Sequence, residues 1–169
     1  MTAFRDARPA DGPELAAMAA RSFTETFGTL YPPADLRAFL DRTFGEAGLI
    51  AHLGDPAYRV RIAIRDDRIV GFAKIGPVDF PGDWGDATVE LCQLYVLGEC
   101  HGAGIGPALM DWALATARNE GYGRMVLSVY VDNHHARRFY ERRGFVEVGR
   151  YDFVVGETID DDRIMALSL

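Results

Sequence analysis

Beyond residue 58 the apolar residues stop recurring at every third or fourth position and begin to alternate, so the chain has to build a sheet and cover it with helices. Upstream, "DGPELAAMAARSFTETFG" carries Asp11 as a cap, proline in the first turn and apolar side chains at Leu15, Met18, Ala19, Ser22 and Phe23, a helical stripe that stops at Gly28. A second helix is predicted at "PADLRAFLDRTF", and "FRDAR" near the start reads as a first strand. Downstream, "YRVRIAI" and "RIVGFAKI" joined by "RDD" read as an antiparallel hairpin, and "TVELCQLYV" at residues 88–96 extends it. Helix (106–120), strand ("RMVLSVYV"), helix (134–143) and two strands ("FVEVGRYDF", "DRIMALSL") follow. This order predicts an α+β fold with a mixed, mostly antiparallel sheet flanked by helices.

A chain of 169 residues supports one hydrophobic core, and no repeat, linker or low-complexity tract divides it, so residues 1–169 are expected to form a single domain. The net charge of -7 argues against nucleic acid or an anionic membrane as partner, since both would be repelled. The opening residues carry charges and prolines where a secretory signal needs an apolar run. Cys92 and Cys100 have no ligands at zinc spacing and read as free thiols, which suits a reducing cytoplasm and predicts no metal site.

The segment "ECHGAGIGPALMDWALATA" sets Gly102, Gly104 and Gly106 against a helix whose predicted face is Leu109, Trp112, Ala113 and Thr116. The first amides of a helix lack intrahelical acceptors and sit at the positive end of its dipole, so glycines there let a diphosphate approach the main chain. A tight strand-to-helix connection would use the same glycines. The spacing is not that of a nucleotidase phosphate loop, which needs Lys-Ser or Lys-Thr after the last glycine.

The ordered set "VELCQLYV", "HGAGIG" and "NHHARRFYERRGF" resembles the GCN5-related N-acetyltransferase superfamily, clearly over residues 88–146 and more loosely toward both ends. The finer resemblance of "SFTETFG" and "GRYDFVVGETIDDDRIMALSL" is to a bacterial branch that includes spermidine and spermine acetyltransferases. The resemblance implies acetyl-CoA as cosubstrate and a primary amine, a small amine or polyamine, as acceptor. A protein or peptide amine, or an acyl-CoA sensor without turnover, is the alternative. It places the coenzyme loop at His101, Gly102, Ala103, Gly104, Ile105 and Gly106. His101 departs from the Arg or Gln of the pattern, and Pro107 removes one donor. Main-chain groups of Leu94, Tyr95 and Val96, together with Asn133, are expected to hold the rest of the coenzyme. Nothing in the sequence fixes the oligomeric state, which leaves a homodimer open.

An alkylamine of pKa near ~10.4 is neutral to about one part in 2,500 at pH 7, which costs on the order of 4.6 kcal/mol, so a base is needed. By the same resemblance that base is Glu90, sharing a strand face with Cys92 and Leu94 by period two. Its ordinary pKa near ~4.3 has to be raised by burial or bridged by water. Tyr140 is the matching donor to the departing thiolate, worth its place if it forms a hydrogen bond as the C–S bond breaks.

Phe23, Phe27 and Tyr31 are either an acceptor groove or core. Asp79, Asp83, Asp86 and Asp160 to Asp162 read as loop carboxylates able to attract a polycation. Adjacent His134 and His135 diverge on a helix and make a poor metal pair. Cys92 reads as a small buried hydrophobe rather than an acyl carrier.

Overall fold

The computed structural model describes residues 1–169, and every strand in it belongs to one seven-stranded sheet in the order β1-β2-β3-β4-β5-β7-β6. The strands are β1 (Ala3–Asp6), β2 (Arg59–Arg65), β3 (Arg68–Gly76), β4 (Thr88–Val96), β5 (Arg124–Tyr130), β6 (Val146–Val155) and β7 (Thr158–Ser168). All pairings are antiparallel except β4 with β5. The helices are α1 (Gly12–Phe27), α2 (Pro33–Phe44), α3 (Leu49–His52), α4 (Ile105–Asn119) and α5 (His134–Arg142). No helix is long and apolar enough to cross a membrane.

The change of period is realised as read. Leu15, Met18, Ala19, Ser22 and Phe23 form the buried stripe of α1, and Asp66 and Asp67 turn the β2–β3 hairpin with φ of 51° and 58°. Asp11 precedes α1 but does not cap it with its side chain. Its carboxylate instead takes two hydrogen bonds of 2.8 Å from Arg5, tying β1 to the helix start. In α4 the buried stripe is Ile105, Leu109, Met110, Ala113, Leu114 and Ala117. Trp112, expected in it, is half-buried and packs against the core from the edge of the stripe, while it and Thr116 also line a surface cleft with His52 and Tyr58. β7 begins four residues before the predicted "DRIMALSL", so Asp160 and Asp162 are buried strand residues and not loop carboxylates. The four-residue α3 was not foreseen.

Two features of β4 place the site. Its parallel pairing with β5 covers only Thr88, Val89 and Glu90; β5 stays paired with β7 along its whole length, and the sheet forks beyond Glu90. In the β3 register, Lys74 faces Gln93 and Ile75 faces Leu91, which leaves Cys92 as the extra residue of a bulge. A bulge resets the alternation of faces. Gln93, rather than Leu94, therefore joins Glu90 and Cys92 on the cleft, and Leu94 packs against the main core.

Candidate active site

The coenzyme end is made of main chain. Gly102 and Gly104 adopt φ of 80° and 78°, which only glycine takes without strain, and Gly104 stands at the N-cap of α4. The amides of His101 and Ala103 turn back to Gly98 and Cys100 at 3.1 and 3.4 Å, and Ala108 bonds to Gly104 at 3.1 Å. The N–H groups of Gly102, Gly104, Ile105 and Gly106 are left without main-chain acceptors, while Pro107 has none to offer. Gly106 is informative because its φ is ordinary and a Cβ there would meet nothing within 4 Å. The fold does not require glycine at that position, and an approaching anion would.

The fork supplies a second row of main-chain groups. Leu97 N–H donates to Val70 at 2.9 Å, so antiparallel alternation turns the groups of Leu94 and Val96 away from β3 and into the fork. Tyr95 falls on the other phase. Its main chain belongs to the β3 ladder, which removes it as a main-chain contact, and its ring packs against Phe44 and Phe72. His101 is exposed, and its Nε2–H donates to the Val96 carbonyl at 2.8 Å. Asn133 caps α5, accepting from the Ala136 amide at 3.3 Å.

Tyr140 is half-buried on α5, edge-on to Phe139 and Phe145. Burial alone pushes its phenol up to about 12, which keeps it protonated at neutral pH. Tyr95 is also held above the ordinary phenol range, first by burial and then by Tyr140 and Asp162.

The acceptor end is made of side chains. Glu90 is 8% exposed in a cleft of about 430 Å³ that also involves Lys74, Asp79, Gln93, Ser128 and Arg42. Burial raises its carboxyl to about 7, although the Asp79 amide, donating at 2.8 Å, partly favours the charged form. This is the perturbation a carboxylate base requires. Lys74, cross-strand from Gln93 and 4% exposed, bonds through Nζ to His52 Nδ1 at 2.9 Å rather than to a carboxylate. Its pKa is lowered, chiefly by burial. Gln93 Oε1 is buried and has no hydrogen-bond partner. Burial pushes the Cys92 thiol up to about 12, so it is no nucleophile at neutral pH.

Phe23 and Tyr31 are core residues at 3% and 6% exposure. Phe23 packs against Phe27, Phe39 and Phe44, and the Tyr31 hydroxyl donates to Asp160. Neither forms a groove wall; Phe27 is half-buried beside Tyr130. Lys74 and Gln93 were missed from the sequence. A lone Lys in the otherwise apolar "RIVGFAKI" was the available signal for the first. Asp162 is raised to about 7 by burial and then by Asp160.

Residues 16–145 match the model of the acetyltransferase (GNAT) family. An uncharacterized N-acetyltransferase of Mycobacterium tuberculosis is 37% identical over 159 residues, spanning 94% of this chain and 98% of the relative. The aminoalkylphosphonate N-acetyltransferase of Salmonella typhimurium is 32% identical over 66% of this chain and 68% of its own length. Among solved structures, an N-acetyltransferase of Thermoplasma acidophilum in complex with coenzyme A superposes with a TM-score of 0.81 at 20% identity, covering 100% of this chain and 99% of that one.

Proposed function

The chain belongs to the acetyltransferase (GNAT) family and is an acetyl-CoA-dependent N-acetyltransferase; from that premise we propose that its acceptor is a small primary amine carrying an anionic group, deprotonated by Glu90. The observation that carries this reading is the composition of the cleft. A carboxyl raised to about 7 shares it with the buried Lys74, which bonds His52 and no carboxylate, with the exposed Arg42, with the carboxylates Asp79 and Asp152, and with the orphan acceptor Gln93 Oε1. An uncompensated buried cation is costly. A bound carboxylate or phosphonate would offset that cost, and an ammonium N–H would satisfy Gln93.

Acetyl-CoA supplies the activated acetyl thioester. The amides of Gly102, Gly104, Ile105 and Gly106 hold its pyrophosphate, and the main chain of Leu94 and Val96 orients the arm. Glu90 accepts the acceptor's proton. Relative to a carboxylate near ~4.3, a base near 7 makes that transfer more favourable by about 4 kcal/mol. Tyr140 donates a hydrogen bond to the departing sulfur. Asn133 fixes the start of α5 and with it the direction of Tyr140.

The Salmonella relative, named for an aminoalkylphosphonate, acts on an acceptor with this pairing of charges. A polyamine would find Asp79 and Asp152 at the cleft for its second ammonium but would have to bring it beside the buried Lys74, which bonds no carboxylate, so the polyamine reading has less support than the zwitterionic one. An acceptor panel followed by release of free thiol separates the readings: an aminoalkylphosphonate, an amino acid, an unsubstituted alkylamine, spermidine and a peptide α-amine. The amines with an anionic group should show the highest kcat/KM. Preference for spermidine or the peptide would overturn the acceptor class, and coenzyme binding with no turnover of any amine would favour a sensor.

A further inference from the structure

Apart from Met1 and Leu30, the large apolar side chains left exposed are Val146, Val148 and Val154 on β6 and Ile159 on its partner β7, at 50% to 64% exposure. β6 is a ten-residue strand at the edge of the sheet, whereas the opposite edge, β1, has four residues. A long edge with apolar side chains is a template for another strand.

The open groups of this edge are fixed by the ladder. Val131 N–H donates to the Asp161 carbonyl at 2.9 Å, so the main chain of Asp161 faces β5. Asp152 lies opposite Asp161, Arg150 opposite Arg163 and Val154 opposite Ile159. By alternation Arg150, Asp152 and Val154 therefore turn their N–H and C=O groups away from β7, to the open side. All three side chains are also exposed, on one face.

We propose that β6 pairs antiparallel with β6 of a second copy, about a two-fold axis at Tyr151, making the sheet continuous through a homodimer. The register follows from the sequence of the strand. An axis at Tyr151 sets Arg150 of each copy opposite Asp152 of the other, as hydrogen-bonded pairs, and brings Val148 of each copy to Val154 of the other. An axis at Arg150 or at Asp152 would place like charges opposite each other. Axes at Gly149 or Phe153 would set a charge against a valine.

Charges on an edge strand usually keep other strands away. Here two opposite charges, two residues apart, make the edge complementary to itself, as a two-fold interface requires. Asp152 has no ion-pair partner within the chain. Arg150 bonds Asp161 at 2.9 Å with 69% of its side chain still exposed. Arg163 holds the same carboxylate at 2.9 Å, so Asp161 stays neutralised if Arg150 turns to the other copy. The bulge at Val148 ends the pairing on that side. Tyr151, Asp152, Phe153 and Val154 also line the acceptor cleft, so the interface borders the site. It does not depend on which amine the site takes.

Sedimentation velocity on the full chain tests the register. The wild type should sediment at twice the mass of one chain. Arg150→Asp and Asp152→Arg should each give monomers, by placing like charges opposite one another twice. An equimolar mixture of those two variants should return to dimers, because both contacts then join opposite charges. Circular dichroism checks that each variant folds; Val154→Glu, which disturbs no ion pair, should also be monomeric and stands in if the Arg150 variant unfolds. A monomeric wild type, single variants that remain dimeric, or a mixture that stays monomeric would each overturn the proposal.

Discussion

The two ends of the site are built from different material. At the coenzyme end, recognition comes from the main chain, with four unpaired amides at Gly102, Gly104, Ile105 and Gly106 and two strand residues facing the fork. At the acceptor end it comes from side chains of β3, β4 and the residues around them, buried at a cost and set against one another. The contrast teaches that one end depends on backbone geometry and tolerates changes of side chain wherever that geometry survives. The other depends on the identity of a few buried groups. Substitutions should therefore separate coenzyme binding from acceptor chemistry.

The largest separation is expected for Glu90→Gln. At pH 8, turnover should fall on the order of a hundredfold or more while acetyl-CoA affinity by calorimetry stays within about twofold. A matched loss of both would merge the two ends. Lys74→Met should lower kcat/KM for an amine with an anionic group by about tenfold, the weight of one charged hydrogen bond. It should spare an unsubstituted amine; equal losses for both would remove Lys74 as the anion's partner.

Gly106→Ala should raise the KM for acetyl-CoA several-fold without lowering Tm, since its Cβ meets open space and alanine favours a helix. A lower Tm with unchanged KM would mean that the glycine serves the fold. A separate effect, on stability and not on turnover, belongs to Asp162. Its carboxyl is raised from 3.8 to about 7, so between those values the folded chain holds a proton that the unfolded chain releases. Stability from this group is thus lost as pH rises through that window, and Asp162→Asn should be more stable than the wild type at pH 8 by up to about 4 kcal/mol. The gap should close toward pH 4. Denaturant titration at the two pH values reads the difference, and a constant difference would refute the assignment.

The same contrast explains what the sequence disclosed. Helix stripes, the hairpin turn and the glycine loop are local patterns, readable because a few neighbouring residues dictate backbone geometry. The stripe of α1 and the strands β2, β3 and β4 came through on that basis. Glu90 and Tyr140 were reached through resemblance, not through local pattern. Leu94 was misplaced because a one-residue bulge at Cys92 is set by pairing with β3 and leaves no mark on β4 alone. Lys74, Gln93 and Asp162 acquire meaning only when distant strands meet, and Phe23 and Tyr31 became core for the same reason. An aromatic at helical spacing does not tell whether its neighbour will be solvent or another ring.

The buried carboxyl at the fork, Glu90, is the group that removes the acceptor's proton in the proposed reaction. The most direct measurement is the pH dependence of kcat/KM for the acceptor at saturating acetyl-CoA, with wild type and Glu90→Gln side by side. Wild-type activity should rise with pH through an ionisation at about 7, and this limb should be missing from the variant. A limb of the same midpoint persisting in Glu90→Gln would contradict that role.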